Sequence, residues 1–347
     1  AYSHMSSSLI LESLLSTKER LPMATTNPFA TPQAKPRRLV FPWDYGAHPE
    51  YRTEWWYLTG WLGQGPSAIG FQLTFFRSRT QHAIENPSRL APQQLLFAHA
   101  ALAVAKQDIF LHANRAGRLS GTTLRAENTD TNLQFEDWHL RRMQRAETDV
   151  YEGRFAGEGF AVSFEARTQQ PVILRGEAGL SKKGPQAKQA SYYYSRAPLH
   201  VNASAVLGKQ TQILEGKAWL DHEWSSQLLM PGAVGWDWVG INLLDGGTLM
   251  AFQIRDKKSE SLYTHVDARD RGGMPVSGWD GLKWQPRGSW RSKSLIDYPI
   301  HMDLVVKGQT FRLVPLILSQ EVDARSSTGG FYWEGAVSLM KKEHLLG

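Results

Sequence analysis

From Arg38 onward the chain is a succession of short segments of alternating polarity, each closed by Gly, Pro, Asn or Asp. Side chains on a strand alternate between its two faces, so this period of two is the signature of half-buried β-strands. Long stretches of 3.6-residue periodicity are scarce. Many short strands at regular spacing, with turn signals between them, predict an all-β sandwich or barrel.

The first series of strands is expected at 53–62, 69–77, 95–104, 133–140, 150–157, 159–166 and 172–176. A second series is expected at 217–224, 236–244, 248–255, 289–290, 300–306, 310–318 and 331–339. Asp245-Gly246-Gly247 between two of these is a strong hairpin signal. With 347 residues the chain is too long for one ordinary core and fits two domains. The expected division is an N-terminal arm over 1–37, a first domain over 38–226 and a second over 227–347. No linker separates the two domains, so they are expected to pack closely. Within the arm, Leu9–Leu15 could form one or two helical turns, and the rest reads as loosely ordered and rich in Ser, Thr and Pro.

Composition narrows function mostly by exclusion. Hydrophobic residues make up 41% and charged residues 21%, which fits a packed globular protein. Lys and Arg number 39 against 33 Asp and Glu, a net charge of +6, and they form no stripe, so no nucleic-acid partner is expected. There is no cysteine, which removes disulfides, thiolate metal sites and a cysteine nucleophile together. No Gly-x-Ser-x-Gly elbow, P-loop or dinucleotide fingerprint occurs, and no cofactor is expected. No apolar run of 18 residues exists, so no helical membrane segment is expected. The opening Ala1-Tyr2-Ser3-His4-Met5 reads as an expression scar, and Leu9–Leu15 makes a poor secretory signal because Glu12 interrupts it. The location expected from this is cytoplasmic, with a periplasmic or secreted protein as the alternative if a signal has been removed. The sequence does not fix an oligomeric state.

Aromatic residues are the unusual feature. There are thirteen tryptophans, and aromatics cluster at Trp55-Trp56-Tyr57, Tyr192-Tyr193-Tyr194 and Trp236-Asp237-Trp238. Large aromatics fill cores and also line apolar cavities.

Alternation sorts the candidate chemical groups. On the strand at 53–62, Trp55 and Tyr57 share one face while Glu54 and Trp56 take the other. Glu54, in so apolar a strand, is expected to be paired with Arg77 or Arg52; Tyr57 could donate a hydrogen bond into a cavity. On the strand at 217–224, Asp221 and Glu223 share a face with Trp219, and His222 and Trp224 take the other. Either face could move a proton at a bound substrate, because a carboxyl in apolar surroundings can be held as the acid. The same side chains could instead seal the domain interface through hydrogen bonds and ion pairs. Trp236 and Trp238 share a face and read as pocket wall or interface. Asp237 points away and suits a proton donor at a rim or a strand-end acceptor. His99 shares a face with Phe97; it is a core histidine or, like Gln72, a polar anchor for a ligand inside a barrel. His48 reads as a loop-fixing residue. Metal binding by Asp221-His222-Glu223 is rejected, because adjacent strand residues point to opposite faces and cannot chelate one ion.

The segment Phe41-Pro42-Trp43-Asp44-Tyr45-Gly46-Ala47-His48-Pro49-Glu50-Tyr51-Arg52-Thr53-Glu54-Trp55-Trp56-Tyr57-Leu58-Thr59-Gly60 resembles the AttH and carotenoid 1,2-hydratase (hydroxyneurosporene synthase) family. Similar agreement occurs in Gly70–Arg77, Ala98–Leu102, Tyr192–Ser195, Gly216–Ser226, Gly235–Trp238 and Tyr332–Val337. The resemblance runs from Phe41 to Val337, nearly the whole chain. It implies two lipocalin-like domains with a ligand site at or between their mouths. Chains of this family include carotenoid hydratases, secreted proteins of unknown activity and fungal cyclases that assist Diels–Alder reactions. They usually continue beyond the Tyr-Trp-Glu-Gly-Ala-Val segment into a final strand rich in Gly, Tyr and Glu, whereas this sequence stops at Gly347.

The expected function is therefore an enzyme that binds an apolar polyene, terpenoid or polyketide-like molecule and promotes its hydration or cyclisation. Asp221, His222, Glu223, Asp237 and Tyr57 are the candidate proton or hydrogen-bond donors. Trp55, Trp56, Trp224, Trp236, Trp238, His99 and Gln72 are the candidate substrate contacts. A non-catalytic lipid or pigment carrier would use the same cavity without a shielded proton donor. A module of a transport system would instead show an exposed apolar patch and no enclosed cavity.

Overall fold

The computed structural model describes residues 1–6, 31–80, 82, 91–227 and 229–347. Leu9–Leu15, where helical turns were expected, lies outside the described residues. The regular structure of the described residues is strand, apart from 3-10 turns at Trp43–Tyr45, Gly65–Ser67 and Ala105–Gln107. The all-β expectation holds.

In chain order the strands begin with β1 (Tyr2–Ser6), β2 (Thr53–Leu62), β3 (Ile69–Arg79), β4 (Gln94–Val104) and β5 (Ile109–Arg118). There follow β6 (Leu124–Ala126), β7 (Asn132–Phe135), β8 (Trp138–Arg145), β9 (Thr148–Gly157) and β10 (Phe160–Thr168). The short β11 (Ile173–Leu174) and β12 (Leu180–Lys182) precede the long β13 (Ala190–Leu207) and β14 (Gln210–Ser225). The second half comprises β15 (Gly235–Asn242), β16 (Thr248–Arg255), β17 (Ser261–Arg269), β18 (Lys283–Arg291) and β19 (Asp297–Val306). It ends with β20 (Gln309–Pro315), β21 (Glu321–Asp323), β22 (Phe331–Gly335), β23 (Val337–Lys341) and β24 (His344–Leu345).

β2 to β14 form one antiparallel sheet of 13 strands, in the order β5-β4-β3-β2-β14-β13-β10-β9-β8-β7-β6, with β11 and β12 paired to β13. The sheet curls until its ends nearly meet. A Cβ at Gly117 on β5 would lie 2.4 Å from Leu124 on β6, so only glycine allows the approach. The barrel interior is solid, filled by Trp56, Leu58, Leu73, Phe155, Val201 and Leu220 among others.

β15 to β24 form two sheets, β17-β16-β15-β1-β22-β21 and β18-β19-β20-β23-β24, which enclose a second core around Tyr2, Ile241, Ile300, Leu304 and Trp333. The opening residues, expected in a loosely ordered arm, supply β1, which lies between β15 and β22. The reason is alternation: Tyr2 is fully buried against Trp333 on one face, while Ser3 and Met5 face the other way. Between the two cores lies a third layer that includes Tyr57, Tyr193, Trp219, Trp238 and Phe252. It joins the outer face of β2, β13 and β14 to the outer face of β15 and β16.

Two further expectations need adjustment. The single strand expected at 133–140 is the hairpin β7–β8, because Glu136 adopts a left-handed backbone (φ 56°) and turns the chain between Phe135 and Trp138. β13, the longest strand, was expected only as an aromatic cluster. Pro198, which has no N–H to donate, breaks the alternation there, and the register with β14 shifts between Arg196 and Leu199.

Candidate functional site

A cavity of about 140 Å³ lies in the layer between the two barrels, not inside either one. Its volume is close to the roughly 150 Å³ that accommodates one benzene-sized group in an apolar protein interior. β2 contributes Trp55 and Tyr57, and β14 contributes Asp221 and Glu223. β15 supplies Trp236 and Trp238 from across the gap. Phe76, Phe97 and Phe252 extend the apolar wall, and Ser3 and Met5 of β1 close part of it. Gly240 lets Trp238 lie flat against the strand: a Cβ there would sit 2.5 Å from its ring.

Register explains why these side chains meet. Asp221 pairs with Tyr57 and Glu223 with Trp55 across β14 and β2, so all four point out of the barrel on the same side. The parity read from the sequence is therefore correct.

Asp221 is the most unusual group on this wall. Ser195 Oγ donates to its Oδ1 at 2.5 Å, Trp219 Nε1 donates to the same oxygen at 2.7 Å, and the Tyr193 hydroxyl donates to Oδ2 at 2.6 Å. Trp238 Nε1 in turn donates to the Tyr193 oxygen at 3.1 Å. Burial pushes the Asp221 carboxyl up to about 6, against the opposing pull of Arg175 and the three donors. Desolvation outweighs the hydrogen bonds because the apolar wall excludes water from the charged form. Glu223, two residues on, accepts from Ser191 Oγ at 2.5 Å and pairs with Lys183 Nζ at 2.8 Å.

The remaining candidates lie elsewhere. His222, Trp224 and Trp56 face the opposite side of the sheet, as their parity requires. The His222 ring stacks on Trp56 at 4.4 Å. Its Nε2 donates to Glu54 Oε1 at 2.9 Å and its Nδ1 accepts from the Tyr194 hydroxyl at 3.0 Å. Burial lowers His222 to about 4, so the ring is neutral and this tautomer follows from its partners. Trp224 stacks on His48 at 3.8 Å. These three side chains pack the barrel end and do not line the cavity.

Asp237 also turns away from it, into the second barrel. His4 Nδ1 is 2.5 Å from its Oδ1, Gln253 Nε2 donates to Oδ2 at 2.8 Å, and Arg255 Nε lies 2.6 Å from Oδ2. Although burial opposes it, these neighbours hold Asp237 below the usual carboxylate range. It is a committed anion and a poor proton donor. His99 meets the Tyr332 hydroxyl and Ser327 Oγ, each at 2.8 Å, and burial lowers it to about 3. Gln72 donates to Thr74 Oγ1 at 3.0 Å. Both residues lie behind the cavity wall at the domain contact.

Sequence reasoning missed three groups. Tyr193 and Lys183 were hidden in a strand and a loop whose polarity pattern is irregular. Glu334, within the Tyr332–Val337 segment, is buried beside Tyr57 and Ser3. Burial pushes it up to about 8, so it is held as the neutral acid. The Tyr57 hydroxyl and Ser3 face it and favour its charged form, but burial outweighs them. The signal was available: a lone glutamate in an apolar strand.

His48, Glu54 and His222 bring three potential metal-ligand atoms within 4.8 Å of one another. In this arrangement the atoms are joined by hydrogen bonds. His48 Nδ1 donates to Glu54 Oε1 at 2.8 Å, and Arg77 Nε occupies Glu54 Oε2 at 2.7 Å. Arg77 supplies the positive charge that a metal would otherwise bring, so the set fits an ion poorly.

No curated protein sequence matches the chain. A crystal structure of an AttH homologue from Nitrosomonas europaea is 37% identical, with a TM-score of 0.82, covering 92% of this chain and 97% of that one. Kievitone hydratase from Nectria haematococca shares the fold at 12% identity, with a TM-score of 0.64 and 93% of each chain covered. The family model described as AttH-like matches residues 32–347, and the chain belongs to the AttH-like family.

Proposed function

We propose that the protein is a hydratase-type enzyme that binds an apolar alkene between its two barrels and adds water across the double bond. The observation that carries this reading is Asp221: a carboxyl on an apolar, aromatic wall, held near pH 6 by burial. Water adds to an isolated alkene only after a proton has reached carbon. Asp221 in its acid form gives that proton to one alkene carbon, and the π electrons form the new C–H bond. The other carbon becomes a carbocation. The faces of Trp55, Trp236 and Trp238 line the same space and stabilise the cation through their π electrons. Water then forms the C–O bond and returns a proton to the Asp221 carboxylate. Tyr193 and Ser195 hold that carboxylate in place throughout. A cyclisation would use the same first step, with an internal alkene in place of water.

The fold shared with kievitone hydratase supports the architecture of this reading, while the chemistry rests on the cavity. The test is incubation of a panel of terpenoid, polyene and aromatic alkenes in ¹⁸O-labelled water, read by mass spectrometry. Labelled alcohol from the wild type and none from Asp221→Asn is the expected result. Undiminished labelling by Asp221→Asn would sink the proposed role. Stoichiometric binding without any product across the panel would favour a carrier.

A further inference from the structure

Lys183 is a buried cation on the wall of this largely apolar cavity; Arg77, the other cation there, is committed to Glu54, and nothing in alkene protonation requires Lys183. Its side chain is 9% exposed, and it lines the same cavity as Asp221. Its ammonium lies 4.1 Å from the centre of the Phe252 ring and 4.9 Å from that of Tyr193. Its one carboxylate partner is Glu223 Oε1 at 2.8 Å, an oxygen that Ser191 also uses. A buried ion pair of this kind is an expensive way to hold a fold, since apolar residues of similar volume usually serve as well. An ammonium has three N–H donors, and here two aromatic faces and one carboxylate oxygen surround it.

Resting on the reading of the cavity given above, we infer that Lys183 donates a hydrogen bond to an uncharged oxygen of the substrate, so that the natural ligand is an apolar ketone, ester or quinone and not a pure hydrocarbon. Charge selects the neutral acceptor. Glu223 already balances Lys183, and a ligand carboxylate would bring a further negative charge beside Glu223 and Asp221. Position sets the spacing. Asp221 and Glu223 are two residues apart on one face of β14, about 7 Å along the strand. The oxygen held near Glu223 therefore lies roughly 7 Å, a few bonds, from the alkene carbon presented to Asp221.

The test uses three ligands of nearly one shape: 4-phenylbutan-2-one, butylbenzene and 3-phenylpropanoate, with binding followed by tryptophan fluorescence at pH 7. A hydrogen bond from a charged donor is worth about 1.5–3 kcal/mol, so the ketone should bind at least tenfold more tightly than butylbenzene. It should also bind more tightly than the carboxylate. Lys183→Met should reduce the ketone to the level of butylbenzene. Because that variant strands Glu223, the double variant Lys183→Met, Glu223→Gln removes both charges together and should show the same loss. Equal binding of ketone and hydrocarbon by the wild type would overturn the inference while leaving the cavity reading intact. So would a ketone preference that survives in the double variant, or a carboxylate that binds best. Failure of all three ligands to bind would overturn both.

Discussion

Arg77 Nε lies 2.7 Å from Glu54 Oε2, and both side chains are fully buried. The guanidinium also donates to Gln94 Oε1 and to the carbonyls of His48 and Tyr51. It thus ties the loop before β2 to the β2–β3–β4 sheet. Removing one partner of such a pair leaves an uncompensated charge. Arg77→Met should lower unfolding stability by about 3–5 kcal/mol. The double variant Arg77→Met, Glu54→Gln should lose less. Urea denaturation of the two single variants and the double completes the cycle.

The hydration proposal has a definite pH sign. Asp221 must carry its proton to act, so turnover should be highest below about 6 and fall as pH rises through that value. Tyr193 donates to the ionised form and so strengthens the acid. Tyr193→Phe should shift the falling limb of the pH–rate profile to higher pH. Asp221→Asn should lose about 10²–10⁴-fold in kcat. Ligand affinity should change far less.

Glu334 predicts a stability effect in the neutral range. Its carboxyl is raised from 4.5 in the unfolded chain to about 8 in the fold, so the native state holds a proton that the unfolded state has released. The stability linked to this group is full below about 4.5 and is lost as pH climbs through 8. Glu334→Gln, neutral at every pH, should flatten the dependence. It should be more stable than wild type at pH 8 by an amount on the order of a few kcal/mol. Thermal unfolding at pH 5 and pH 8 distinguishes the two proteins.

His222 should behave as a packing residue. Its two hydrogen bonds and its stack on Trp56 all lie on the barrel side of the sheet. His222→Ala should destabilise the protein by about 2–4 kcal/mol, as expected for a buried, hydrogen-bonded side chain. Binding of an apolar probe in the cavity should change less than twofold. A titration by tryptophan fluorescence under native conditions checks this.

Much of the architecture was legible because strand alternation is a local property. The bounds of β2 and β16 and the opposite faces of Asp221 and His222 follow from period two alone. Pairing of Glu54 with Arg77 or Arg52 was likewise expected, from a charge in an apolar strand, and the partner is Arg77. Depth was not legible. Asp237, between Trp236 and Trp238, and Asp221, two residues from Trp219, both lie in tryptophan-rich strands, yet one faces Arg255 and the other an apolar wall. That difference is set by sheets packing across more than ten residues of sequence. Lys183 was invisible for the same reason: its aromatic partners come from β13 and β16. β1 escaped because five residues carry too short a pattern to separate from a tail.

The paired strands β2 and β14 form a party wall. Positions 55, 57, 221 and 223 face the cavity, while 56, 58, 222 and 224 hold the barrel. The two sets interleave in sequence but share no side-chain space. Descendants of such a chain can therefore explore new ligands at the odd positions while purifying selection guards the even ones. A library that varies the odd set together with the buried partners of Asp221 and Glu223 should retain more folded members than one that varies the even set, which makes this wall a natural starting point for directed evolution.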